Sequence, residues 1–172
     1  MATAGSPAIA ALKGPRDTLS PLECVVLIGL PGAGKTSFYR RHFAATHAHI
    51  SKDLLGNASG RDARQRRLID EALAAGKSVV VDNTHPTIAE RAAVIAAARA
   101  RGAQTIGYFI DVTTRVAVAR NAGRSGRDKV PNVAIFTVAK RLERPTLAEG
   151  FDQLFRVEIG EDRSFRVSEV TL

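Results

Sequence analysis

Glu23-Cys24-Val25-Val26-Leu27-Ile28-Gly29-Leu30-Pro31-Gly32-Ala33-Gly34-Lys35-Thr36 is the stretch whose reading decides the fold. Its first six residues are apolar and β-branched, the pattern of a buried strand, and they run straight into glycines. Residues 29–36 fit G-x-x-x-x-G-K-[ST] with no position missing. Glycines let the backbone turn tightly and aim its N–H groups at phosphate. A helix opening near Lys35 adds the positive end of its dipole. In such a cradle Lys35 reaches the β- and γ-phosphates and Thr36 offers its hydroxyl to Mg²⁺, so ATP and Mg²⁺ are the expected ligands. The expected cradle set is Gly29, Pro31, Gly32, Ala33, Gly34, Lys35, Thr36 and Ser37. A glycine turn without a ligand is the plainer reading, and the full match in a strand–helix setting argues against it.

Outward from the cradle the chain alternates strands and helices. Residues 35–46 continue as a helix, 47–50 read as a second strand, and polar Ser51-Lys52-Asp53 follows. A helix over 61–75 stops at Gly76, and a strand over 78–81 ends at Asp82. The helix over 87–101 has Thr87 as its cap, with Glu90 completing a capping box. A strand over 105–110 ends at Asp111, and Thr113 or Thr114 caps a helix to about Asn121. A glycine- and arginine-rich loop at 123–129 precedes a helix at 133–142 that Pro145 ends. A core strand at 155–159 and an edge strand at 165–170 close the chain. This order predicts an α/β protein of the P-loop NTPase type, three-layer α/β/α, with a mainly parallel central sheet.

At 172 residues one domain is expected: a flexible Ala-, Gly-, Ser- and Pro-rich leader over 1–21, then a single domain over 22–172. No apolar run approaches the ~18 residues of a membrane span, no targeting signal is evident, and a cytoplasmic location is expected. Cys24 is the only cysteine, which excludes an internal disulfide and fits a buried, inert thiol. The net charge of +8 and pI near 10.4 favour polyanionic partners, although an arginine-rich composition alone has the same effect.

A kinase needs a base for an alcohol, and ligands of doubly wound sheets sit off the carboxyl ends of the strands. Asp53 is the candidate base; an ordinary loop carboxylate or helix cap is the alternative. Asp82 ends a Val-Val-Val strand as a Walker B acid does, facing Mg²⁺ or fixing substrate. Arg120, Arg124 and Arg127, around Gly123 and Gly126, suit a lid that closes on the transferring phosphoryl group. Arg64 and Arg67 share a helix face, Arg66 points elsewhere, and with Arg61 they form either a groove for a nucleic-acid backbone or a solvated face. Most of the aromatic residues fall at core-like positions, so no base-stacking platform is evident. His42, His47, His49 and His85 read as structural.

Four segments carry a resemblance: 29–36, His-Ile-Ser-Lys-Asp-Leu-Leu-Gly at 49–56, Val-Asp-Asn-Thr-His-Pro at 81–86, and Arg-Pro-Thr-Leu-Ala-Glu-Gly-Phe at 144–151. Over about residues 24–157 the chain resembles the kinase domain of polynucleotide 5′-hydroxyl kinases. The resemblance implies that Asp53 is the general base on a nucleic-acid 5′-hydroxyl and that Arg120 or Arg124 contacts ATP phosphates. It implies that Lys52, Asp82, Asn83 and Thr84, with Arg64 beside them, serve the substrate. Two positions depart from the family: Lys52 stands where arginine is usual, and Gly56 where the phage enzyme has a phosphate-contacting arginine. The phosphatase module that often accompanies this kinase is not expected in a chain of this length. Competing expectations are a small-metabolite or antibiotic kinase and a non-catalytic nucleotide-dependent switch.

Overall fold

The computed structural model describes residues 20–56 and 59–172; the expected leader lies almost wholly outside them. Strand β1 (Glu23–Ile28) leads through the cradle to helix α1 (Lys35–His42), then β2 (Ala48–Ile50) and a short 3₁₀ turn (Lys52–Leu55). Helix α2 (Arg61–Ala74), β3 (Val79–Asp82), α3 (Ile88–Ala100) and β4 (Gln104–Ile110) continue the alternation. Helix α4 (Thr114–Ala122), α5 (Asn132–Arg141), β5 (Gln153–Ile159) and β6 (Phe165–Glu169) complete it. The strand order is β2-β3-β1-β4-β5-β6, parallel throughout except for β6, which runs antiparallel to β5.

Period-two alternation in β1 builds both cores at once. Cys24, Val26 and Ile28 face one side with Ile69 and Leu73 of α2 and Val94, Ile95 and Ala98 of α3. Val25 and Leu27 face the other with Phe38 of α1, Ala117 of α4 and Ile135 of α5. A strand covered on both faces has no polar positions to spare, which is why β1 and β3 read as unbroken apolar runs. The Cys24 thiol is fully buried, and burial pushes its pKa up to about 12. No helix among the described residues is long and apolar enough to cross a membrane.

Two local expectations need correction. Helix α1 stops at His42 rather than residue 46, because Phe43 and Ala44 both donate to Tyr39 O and turn the chain. Thr87 does accept Glu90 N–H (3.2 Å), but the Glu90 carboxylate pairs with Arg141 instead of closing a capping box. The complete capping box is at Thr146 and Glu149. Phe136 is 49% exposed on α5.

Candidate active site

The cradle is held from below by the loop after β3. Gly29 N–H donates to Thr84 O (3.0 Å), so the main chain of Thr84, rather than its hydroxyl, meets the glycine loop. Gly32 has φ +81, and a Cβ there would sit 2.8 Å from Ala117 O, so only glycine fits between the loop and α4. Lys35 folds back onto its own loop, donating to Gly29 O (3.0 Å) and Leu30 O (2.7 Å). Burial lowers its pKa to about 8, the Asp82 charge opposes that shift, and Arg124 reinforces it.

Arg120 projects from the last turn of α4 across the cradle, donating to Ala33 O (3.2 Å). Burial, then the charges of Arg163 and Arg124, lowers its pKa. Cations gathered beside a phosphate cradle suit it to an anion. Arg163, in the β5–β6 turn, was not anticipated from the sequence. Arg127 is exposed and makes no hydrogen bond or ion pair among the described residues. Pro31 and Ser37 line the loop and first turn without a polar contact of their own.

Asp82 gathers the other half of the site. Its Oδ2 accepts from Thr36 Oγ1 (2.8 Å) and lies 2.9 Å from His49 Nε2, which must donate because a carboxylate only accepts. Burial opposes ionisation of Asp82, but the His49 and Thr36 hydrogen bonds and the Lys35 charge outweigh it and hold the pKa below the usual range. A hydroxyl and a carboxylate 2.8 Å apart beside the phosphate cradle are hard oxygen donors suited to Mg²⁺. His49 also stacks on Tyr39, ring centroids 4.0 Å apart. Ala48 and Ile50 take one face of β2, which leaves His49 on the other, and only the fold brings Thr36 and α1 to that face.

Asn83 links the site to α2. Its Oδ1 accepts Lys52 N–H (2.9 Å) and its Nδ2 donates to buried Gln65 Oε1 (2.7 Å). Lys52 turns its ammonium away to Asp62. Asp53 is exposed, in the 3₁₀ turn after β2, with its N–H on Ser51 Oγ (3.3 Å) and no partner for its carboxylate among the described residues. It lies near enough for its charge to act on Lys35. Arg61, Arg64 and Arg67 line a cleft of about 410 Å³ together with Leu55, while Arg66 does not.

His85, at φ +45, keeps the post-β3 loop in shape by donating from Nδ1 to Leu27 O (2.6 Å). Burial lowers its pKa to about 4, so it stays neutral. A folded-state pKa below the unfolded value means that the unfolded chain binds the proton first as pH falls. Stability contributed above pH 6.5 is therefore lost between 6.5 and 4, by roughly 3 kcal/mol at most. Urea midpoints across that window should fall more steeply for the native chain than for His85→Gln; equal slopes would remove His85 as the cause.

A parallel sheet whose first strand ends in a glycine cradle, with Lys35, Thr36 and Asp82 at its carboxyl edge, defines a P-loop nucleotide-binding domain. Residues 24–145 match the family described as AAA domain, and the chain belongs to that family. The likeness to polynucleotide kinases is also found. A putative bifunctional polynucleotide phosphatase/kinase of Acanthamoeba polyphaga mimivirus is 28% identical over 149 residues, 83% of this chain and 34% of that protein. A bifunctional polynucleotide phosphatase/kinase of Schizosaccharomyces pombe is 28% identical over 139 residues, 78% of this chain and 33% of that protein. The chain spans about a third of the length of these curated relatives. The fold is shared with a gluconokinase from Sinorhizobium meliloti 1021, at TM-score 0.57 and 21% identity over 79% of this chain and 82% of that one.

Proposed function

We propose that this chain transfers the γ-phosphoryl group of ATP to a nucleic-acid 5′-hydroxyl, in DNA or RNA. The observation that carries the reading is Asp53: a carboxylate left without a partner at the carboxyl edge of the sheet, within electrostatic reach of Lys35. A structural acid would be expected to hold a cap or an ion pair, as Asp111 does with Arg144 (3.1 Å) and Arg156 (2.7 Å). Both curated relatives are named for polynucleotide substrates, which supports the choice of acceptor.

In this reading the acceptor hydroxyl donates its hydrogen to Asp53, which takes the proton as the oxygen attacks γ-phosphorus and the bond to the β-phosphate oxygen breaks. Lys35 leaves its two carbonyl partners for the β- and γ-phosphates. Arg120 already spans the cradle, and Arg124 with its glycine-flanked loop closes over the transferring group, excluding water. Thr36 and Asp82 would hold Mg²⁺, which when bound would offset the charge of the phosphates. Asn83, Lys52 and Thr84 shape the acceptor side. A lone buried thiol suits a cytoplasmic setting.

The test is transfer of labelled γ-phosphate to a 5′-hydroxyl oligonucleotide, beside a panel of sugars and nucleosides. Labelling of the oligonucleotide is expected. Labelling of a small molecule alone would install a metabolite kinase in its place, and no transfer with retained ATP binding would favour a switch.

A further inference from the structure

The cleft beside the Asp53 turn is not used by the donor half of the site. Arg61, Arg64 and Arg67 recur every three residues along α2, so their backbone positions climb about 9 Å along its axis and their side chains form a row rather than a point. Their forked donors are largely uncommitted. The Arg64 guanidinium makes no hydrogen bond or ion pair among the described residues. Among the described residues the Arg61 guanidinium makes only a long contact with Gly56 O (3.4 Å). Arg67 makes a loose pair with Glu71 (3.5 Å) in which both side chains are mostly exposed. Some surface arginines elsewhere are matched to carboxylates, as in Arg101–Asp70 (2.6 Å). Asp62, the acid within the row's own turn, is already taken by Lys52.

The row is also fixed relative to the base. Leu55, in the turn that carries Asp53, forms the cleft's near wall. Gln65, next to Arg64, is buried and bonded to Asn83, which in turn holds the N–H of Lys52. No aromatic side chain lines the cleft, so it offers charge and forks without a stacking surface. Repeated anionic groups joined by a chain are what such a row matches, and guanidinium pairs with phosphate oxygens two at a time.

We propose that Arg61, Arg64 and Arg67 seat the phosphodiester backbone of the acceptor strand next to its reacting end. The inference rests on the function proposed above and deepens it: the acceptor is a strand carrying phosphate beyond the reacting nucleoside, gripped without regard to sequence. A free nucleoside or a sugar lacks what the row binds.

The test is anisotropy of a 3′-labelled, 5′-hydroxyl oligonucleotide titrated with the intact chain, without ATP, over a range of NaCl concentrations. Arg64→Ala is expected to weaken binding about 5- to 10-fold near 0.1 M salt and to flatten the plot of log K against log salt by about 0.7, the loss of one single-strand phosphate contact. Arg64→Lys, which keeps the charge without the fork, should restore the slope and only part of the affinity. Lys77→Ala, at the far end of the sheet, should match the native chain in both. If Arg64→Ala and Arg67→Ala keep the native slope and affinity, the proposal is wrong. If oligonucleotides are nevertheless phosphorylated, the function proposed above survives that failure. A native chain that neither binds nor labels any oligonucleotide overturns both.

Discussion

Asp53→Asn is expected to lower kcat for phosphoryl transfer by roughly 10²- to 10⁴-fold while ATP affinity stays within about two-fold. Asparagine keeps the size of the side chain and removes its capacity to take a proton. Because the Asp53 carboxylate is exposed and has no partner among the described residues, the substitution breaks no folding contact. Its charge raises the Lys35 pKa, so removing it should lower that pKa slightly without reshaping the cradle. Single-turnover transfer and direct nucleotide binding, measured on the same preparation, separate the two effects. Full transfer by the variant would end the assignment of Asp53 as the base. Lost nucleotide binding would end the division into a donor side and an acceptor side.

The largest effect on stability should come from Arg91→Ala, about 3–5 kcal/mol. Arg91 is fully buried in α3, and all its donors are engaged. Nε and Nη2 grip Glu149 (2.6 and 3.1 Å), Nη1 reaches His85 O (2.8 Å) and Pro86 O (3.2 Å), and Nη2 also reaches Glu143 O (3.0 Å). Truncation leaves a buried carboxylate and three carbonyls without their partner. Native domains of this size hold only about 5–15 kcal/mol, so the variant should lose a large share of it, read as a lower urea midpoint. An apolar double replacement, Arg91→Met with Glu149→Leu, removes the orphaned charge but not the orphaned carbonyls. It should recover part of the loss and no more. A loss below about 1 kcal/mol for Arg91→Ala would show that water or neighbouring groups replace the guanidinium.

Arg91 also explains why the 144–151 segment looks diagnostic without being chemical. Its Thr146–Glu149 box presents Glu149 to Arg91, and Arg144 goes to Asp111 and lies over the Phe109 ring (5.3 Å). The segment braces the loop after β3 and therefore the backbone that meets Gly29. No periodicity announces a buried arginine, which is why α3 reads as a plain Ala-rich helix. The cradle was legible because its glycines, lysine and threonine are fixed by local geometry at fixed spacing. Asp53 was legible only as a carboxylate at a strand end, since its freedom from partners is a tertiary fact. His49 and Arg163 escaped because their duties depend on which strand lies beside which.

The chain of hydrogen bonds from Gln65 through Asn83 to the Lys52 amide joins α2 and the Asp53 turn into one rigid piece. Whatever presses on α2 is therefore felt at the turn that carries Asp53, the proposed base. Binding energy gained far from the reacting oxygen can then be expressed as alignment in the transition state rather than as tighter holding of the ground state. Shortening the acceptor should accordingly slow turnover even at saturation, and Gln65→Ala should abolish that length dependence before it abolishes turnover itself.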